Sequence, residues 1–402
     1  MVVMTIGKRT RKRPYSKLPE LIVLVRVYAY IGVQILISFI PVKSNRIILY
    51  IHHRKGFACN PKYVVNKINE KYLGKYELLW VTQYPESCKN IPANVKVIRA
   101  NSVEHKIKYL RTRIYLTNDC FPAWAFHGKK HVWINLWHGG INYKHIGFDY
   151  VAPMSKAKMK WFKLTNRQPD YFLSASEAFT YDTIKAFHLR KNCFIEYGLP
   201  RNDIFFKTNV SLKKQVFEQL GIDSQKKIVL YAPTFRDHME LMESLDIENV
   251  KRALTNRFGG EWELLIRRHY FENGNTFHCG GVDVSDYDDM NELLYIADVL
   301  ISDYSSCMYD FSLLRRPCFV FAPDLENYKM RDRSFAYPIS KWPYSIANTN
   351  LQLLENIKLF DDPGYRKKIN KHLLDISSKD DGFASDKIVD LIVSHCGRKD
   401  NR

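Results

Sequence analysis

Two segments of the chain place groups capable of chemistry on turns that could aim them. The first is Asp303-Tyr304-Ser305-Ser306. It follows Val299–Ile301, an apolar, β-branched run with the length of a buried parallel strand. Met308, Phe311 and Leu314 then recur at helical spacing. A strand passing through such a turn into a helix points unpartnered N–H groups and two hydroxyls at one place, where the helix dipole is positive. That suits an anion, although an ordinary strand–helix turn capped by Ser306 reads the same way. The second is Asn135-Leu136-Trp137-His138-Gly139-Gly140. It offers an imidazole that titrates near neutral pH, on a backbone whose glycines permit close approach.

Three more segments occupy comparable places. Gly198-Leu199-Pro200-Arg201-Asn202-Asp203 follows Phe194–Tyr197, Tyr231-Ala232-Pro233-Thr234-Phe235-Arg236 ends the run from Lys227, and Arg267-Arg268-His269 ends the run from Trp262. The elements that must position them read as two α/β halves. In the first, strands are expected at Arg46–His52, Tyr76–Thr82, Val95–Ile98, Ile114–Thr117, Val132–Leu136, Asp170–Ser174 and Phe194–Tyr197, with a helix over Pro61–Lys71 after the Asn60-Pro61 start signal. In the second they are expected at Lys227–Tyr231, Trp262–Arg267, Val282–Val284, Val299–Ile301 and Cys318–Phe321. Strands alternating with helices imply parallel, doubly covered sheets, with ligands beyond the carboxyl ends of the strands. The joint is expected near residues 200–225, where a polar helix ends at Gly221. The division is 1–44 as a basic arm with an apolar helix, 45–210 as the first domain and 211–402 as the second. Two Rossmann-like domains facing across a cleft form a GT-B-like fold.

Taken in order, the five segments resemble the CDP-glycerol glycerophosphotransferase family of teichoic acid and capsule synthesis. Its usual forms are W-H-G-T-P-x-K-x-x-G-x-D, G-x-P-R-N-D, Y-A-P-T-x-R, a strand ending R-x-H, and D-Y-S-S-x-x-x-D. The resemblance runs from about residue 46 to about residue 357 and implies that an acceptor hydroxyl attacks the β-phosphorus of CDP-glycerol, with CMP leaving. His138 is then the base, on the acceptor side. His269, Arg236 and the Ser305–Ser306 turn stabilise charge on the phosphoryl oxygens and on CMP. Gly139, Gly140, Arg201, Asn202, Pro233, Thr234, Arg268 and Asp303 complete the expected substrate contacts. Asp303 orients its turn, because a carboxylate facing a diphosphate would be repelled. Glu292 either reaches the ribose or lies on a solvated helix face. The expected partners are CDP-glycerol or another CDP-polyol, and a polyol-phosphate or lipid-linked saccharide acceptor. No cofactor and no metal set are expected.

The chain departs from the family at Gly140-Ile141-Asn142, where Thr-Pro is usual, and at Phe335–Ser340, where an acidic stretch is usual. Both changes put the polyol in question and leave CDP-ribitol as the nearest rival donor. A GT-B sugar transferase and a non-catalytic basic binding protein are the rival classes.

Composition bounds these readings. With 402 residues, 46% hydrophobic and 14% aromatic, the chain can fill two cores. Its eight cysteines form no C-x-x-C pair, which favours reduced thiols over disulfides or zinc. The net charge of +19 suits an anionic surface or polyanionic substrate, and no nucleic-acid motif accompanies it. Lys8, Arg9, Arg11, Lys12, Arg13 and Lys17 precede an apolar stretch from Leu21 to Ile40. No small-residue cleavage site marks a signal peptide there. Arg26 would cost a spanning helix about 2.5–3.5 kcal/mol. An interfacial helix on an anionic membrane and a helix packed on the first domain are the two expectations, and they can coexist. Lys156, Lys158, Lys160 and Lys163, interleaved with Met154, Met159, Trp161 and Phe162, repeat the basic and apolar pattern. The implied location is peripheral, on the cytoplasmic face of the membrane.

Overall fold

The apolar, β-branched segments pair into two all-parallel sheets. The computed structural model describes residues 20–37, 39–51, 56–122, 124–149, 159–160, 169–234, 245–268, 280–331 and 334–397. The first sheet contains β1 (Lys43–Tyr50), β2 (Glu77–Thr82), β3 (Val95–Arg99), β4 (Thr112–Thr117), β5 (Val132–Asn135), β6 (Tyr171–Leu173) and β7 (Phe194–Ile195), in the order β3-β2-β1-β4-β5-β6-β7. The second contains β8 (Lys227–Ala232), β9 (Trp262–Ile266), β10 (Val282–Asp283), β11 (Val299–Ser302), β12 (Cys318–Phe321) and β13 (Ser345–Ala347), in the order β10-β9-β8-β11-β12-β13. Each sheet starts near its middle, runs to one edge and reverses past its first strand. The reversal lies between β1 and β4, and again between β8 and β11. Loops leaving the strands at such a point diverge and open a crevice. This is the GT-B-like arrangement. Edge strand β13 is too short, at three residues, for its alternation to be read from sequence.

Successive residues of β1 serve opposite faces. Ile48 and Tyr50 join a cluster with Tyr109, Tyr115 and Trp133. Ile47 and Leu49 join a larger cluster that also contains Leu230, Leu300 and Tyr309, so apolar contact is continuous between the sheets. The last helix, Ala384–Cys396, returns to the first sheet's side. Asp203 accepts the N–H groups of Ala384 and Ser385 at 3.0 and 2.8 Å, which caps its start. Asp386 pairs with Lys71 at 2.7 Å, and His395 meets the Tyr171 hydroxyl at 2.9 Å.

The N-terminal helix Glu20–Ile37 buries Val23, Val27 and Ile37, and Gln34 donates to the His127 carbonyl at 3.2 Å. Its other side leaves Val25, Tyr28, Ile35 and Leu36 exposed, all at 59% or more. The helix therefore packs on the first domain and still presents an apolar face. No helix among the described residues is long and apolar enough to cross a membrane. Lys156, Lys158 and Lys163 lie outside the described residues, while Lys160 sits 5.5 Å from the Tyr28 ring centre.

Between the sheets lies a partly buried carboxyl, Asp380. It accepts from the Leu199 N–H at 2.8 Å and from Asn202 Nδ2 at 3.2 Å. The Tyr309 hydroxyl stands 2.5 Å from its other oxygen and 3.1 Å from the Ala175 carbonyl. One hydroxyl hydrogen cannot serve both acceptors, so a proton on Asp380 relieves the conflict. Burial pushes this carboxyl up to about 7, against hydrogen bonds from Leu199 and Tyr309 that pull it down. Between about pH 4 and pH 7 the folded chain holds a proton that the unfolded chain releases, so this group's stabilisation declines as pH rises through that window. Burial holds His105, His131 and His372 down at about 4, which gives the opposite slope below about pH 6.5. Asp380→Asn retains those histidines and mimics the protonated acid. In urea unfolding from pH 5 to 8, the parent should lose stability relative to this variant as pH rises to 7. A difference that is constant with pH would show that Asp380 is ionised throughout.

Candidate functional site

The imidazole of His138 is set by a strained turn at the end of β5. Trp137 has a left-handed backbone, with φ +47°, which costs a non-glycine residue about 1–2 kcal/mol. Three groups hold the turn in place. The Trp137 N–H donates to Asn135 Oδ1 at 2.8 Å. Asn60 Nδ2 donates to the carbonyls of Leu136 and Trp137, each at 2.9 Å. Arg201 Nη1 donates to the His138 carbonyl at 2.8 Å. The indole of Trp137 stacks on the imidazole at 4.6 Å. His138 Nδ1 lies 2.7 Å from the Asn118 carbonyl oxygen, which can only accept. In the neutral ring, Nδ1 therefore carries the hydrogen and Nε2 the lone pair.

The opposite side of the crevice is built on β8 and β11. Both oxygens of Asp303 accept the Thr234 N–H at 3.0 Å, and Oδ1 also accepts the Tyr304 N–H. The carboxylate thus ties the two loops together and holds Pro233 and Thr234 beside the serine turn. Ser305 Oγ accepts the Cys307 N–H at 3.3 Å, whereas Ser306 makes no capping hydrogen bond through its side chain. Both serines, Pro233 and Thr234 are partly exposed.

The two sides meet. A Cβ built on Gly139 would stand 3.7 Å from both Cβ and Oγ of Ser306. One built on Gly140 would lie 2.0 Å from the Tyr309 ring. This explains the first departure from the family pattern: with Tyr309 packed there, no side chain fits at position 140.

Arg201 and Asn202 face each other's partners and not the crevice. Arg201 is 4% exposed and pairs with Asp310 at 2.7 Å. Asn202 is fully buried, donates to Asp310 and Asp380, and accepts from Asn291. Arg268 lies against Asp283 of β10, and its N–H donates to Ser285 Oγ. Glu292 does not lie on a solvated helix face. It accepts from Lys62 Nζ at 2.5 Å and from the Tyr287 hydroxyl at 2.8 Å, and Lys62 also pairs with Asp289 at 3.0 Å. Burial and the neighbouring Asp289 raise this carboxyl above its ordinary range. The predicted residues His269 and Arg236 lie outside the described residues.

Sequence reasoning did not single out Asn60, Lys62, Asn118 or Asp310. Asn60 read only as a helix start. Asp310 stood unremarked as the last residue of D-Y-S-S-x-x-x-D. Asn118 acts through a main-chain carbonyl, which leaves no mark in a sequence.

The family description CDP-Glycerol:Poly(glycerophosphate) glycerophosphotransferase matches residues 33–394. A teichoic acid poly(glycerol phosphate) polymerase from Bacillus spizizenii is 30% identical over 363 residues, covering 83% of this chain and 88% of that protein. A teichoic acid glycerol-phosphate transferase from Staphylococcus aureus is 28% identical, covering 89% and 95%. This chain spans only about half the length of the similar polymerases from Staphylococcus epidermidis and Bacillus subtilis. Among solved structures, the wall teichoic acid polymerase TagF, in a variant soaked with CDPG, is 26% identical with a TM-score of 0.77, covering 94% of this chain and 98% of that one. With residues 33–394 matched and the His138 turn abutting Ser306, the chain belongs to the CDP-glycerol:poly(glycerophosphate) glycerophosphotransferase family.

Proposed function

We propose that this enzyme transfers glycerol phosphate from CDP-glycerol to a hydroxyl of a teichoic acid-type acceptor, releasing CMP. One observation carries the reading: a Cβ built on Gly139, next to His138, would stand 3.7 Å from Ser306, so a base and an anion-binding turn border one crevice. His138 Nε2 takes the proton from the acceptor hydroxyl as its oxygen attacks the β-phosphorus. The bond to the CMP oxygen breaks, and CMP leaves. Ser305, Ser306 and nearby N–H groups meet the diphosphate, where donors fixed in advance stabilise the charge that builds. His269 and Arg236 are proposed to share that load.

The acceptor is proposed to be lipid-linked or polymeric, reached from the cytoplasmic face of the membrane. The exposed side of Glu20–Ile37 offers apolar area, Lys160 lies at Tyr28, and the six basic residues before Glu20 suit anionic lipid. Polyol choice is assigned to a short ribbon joining the two departures from the family pattern. The His145 N–H donates to the Ser334 carbonyl at 3.1 Å, and the Ala336 N–H to the Tyr143 carbonyl at 3.0 Å. CDP-ribitol is therefore the second donor to assay.

His138→Ala should lower CMP release by about 10²–10⁴-fold while CDP-glycerol affinity stays near the parent's. Turnover at the parental rate would remove His138 as the base. Changing Ser305 and Ser306 together to Ala should weaken CDP-glycerol by roughly 1–3 kcal/mol in calorimetry and leave cytidine affinity unchanged. Equal losses for both ligands would make the turn a nucleoside contact or a scaffold. Replacing the six basic residues with Ser should reduce sedimentation with phosphatidylglycerol vesicles at low salt, since each contributes about 1 kcal/mol. Unchanged sedimentation would leave the N-terminal helix as a packing element alone.

A further inference from the structure

The transfer proposed above needs its base and its diphosphate at one fixed separation, yet they sit on different sheets. Arg201 spans them. Its Nη1 donates to the His138 carbonyl at 2.8 Å and lies 3.6 Å from Cys59 Sγ, and its Nη2 is 2.7 Å from Asp310. Asp310 belongs to the helix Cys307–Ser312, which begins directly after Ser305 and Ser306. The Arg201 N–H donates to Asn60 Oδ1 at 3.1 Å, and Asn60 in turn holds the carbonyls of Leu136 and Trp137. Three successive carbonyls of the His138 turn are thus bound by Arg201 and the asparagine it anchors. Arg201 and Asp310 are 4% and 2% exposed, so neither can exchange this partnership for water. A planar guanidinium can address a carbonyl along one edge and a carboxylate along another, whereas an ammonium is a point charge.

We propose that Arg201 is a positioning residue for phosphoryl transfer: it sets the distance between the His138 imidazole and the Ser305–Ser306 turn, and touches neither substrate. The proposal rests on His138 as the base. It also explains why an arginine and a distant aspartate occur together in two of the chain's motifs. A displacement of about 1 Å at a reacting centre can cost on the order of 10²-fold in rate.

Arg201→Gln alone takes from the buried Asp310 the positive charge it pairs with and is expected to destabilise the fold strongly. The test therefore uses Arg201→Lys, which keeps the charge, and the double variant Arg201→Gln/Asp310→Asn, which removes both charges together. Both are compared with the parent for thermal midpoint, CDP-glycerol Kd by calorimetry, and kcat by CMP release. The expected result is a folded protein at the assay temperature, Kd within about threefold of the parent, and kcat lower by about 10²-fold. Added to His138→Ala, Arg201→Lys should change the residual turnover less than about twofold, because the group it positions has gone. A tenfold rise in Kd would make Arg201 a substrate contact. A lower midpoint with unchanged kcat per folded enzyme would make it a scaffold only. A further 10²-fold loss on top of His138→Ala would overturn the positioning role while leaving the base in place. His138→Ala at the parental rate would remove the base and this proposal with it.

Discussion

The Arg201 guanidinium leaves water together with the Asp310 carboxylate, and a charge so placed needs an opposite charge and hydrogen bonds close by. Its partners are the two loops that matter most: the end of β5 on one sheet, and the helix after β11 on the other. A pair this deeply buried adds little net stability, because desolvation offsets the attraction. What it imposes is geometry. Asn202, Asn291, Asp380 and Tyr309 extend the same hydrogen-bonded layer, and apolar contact continues around it. The two domains therefore share a packed floor beneath the crevice.

That floor accounts for several otherwise separate features. Gly140 must lack a side chain because Tyr309 reaches through to Ala175 and Asp380. Trp137 tolerates a left-handed backbone because Asn60, Asn135 and Arg201 hold every residue of its turn. Strain held in place by surrounding bonds is often found where a reacting group must be aimed. The imidazole gains a defined tautomer from Asn118, a residue at the end of β4 and so beside the reversal in strand order.

Away from the floor, a second cross-sheet contact, Lys62 with Asp289 and Glu292, closes another part of the crevice. The ribbon of Tyr143–His145 with Ser334–Ala336 closes a third. The Lys62 contact joins the helix Cys59–Tyr72 to the start of the helix Met290–Ile296, and the ribbon joins the segment after β5 to one after β12. The N-terminal helix stands outside this scheme: it touches the β4–β5 loop through Gln34 and His127 and offers its remaining face outward.

The strands were legible because buried parallel strands are short apolar runs, and Lys227–Tyr231 or Cys318–Phe321 can hardly be anything else. The five motif segments were legible because glycine, proline and histidine at strand ends carry backbone and proton chemistry in their identity. Ser345–Ala347 was not, since three residues hold no period. The roles of Arg201, Asn202 and Glu292 were not, because a charged or amide side chain reads alike whether it meets a ligand or another residue. That choice depends on which atoms arrive from elsewhere in the chain: Asp310 lies 109 positions from Arg201, and Lys62 lies 230 from Glu292. By itself the sequence determined the two sheets, the loops at their carboxyl ends and the family. Tertiary structure alone decided which motif residues border the crevice and which hold it together, because burial and partner geometry exist only once the two sheets have met.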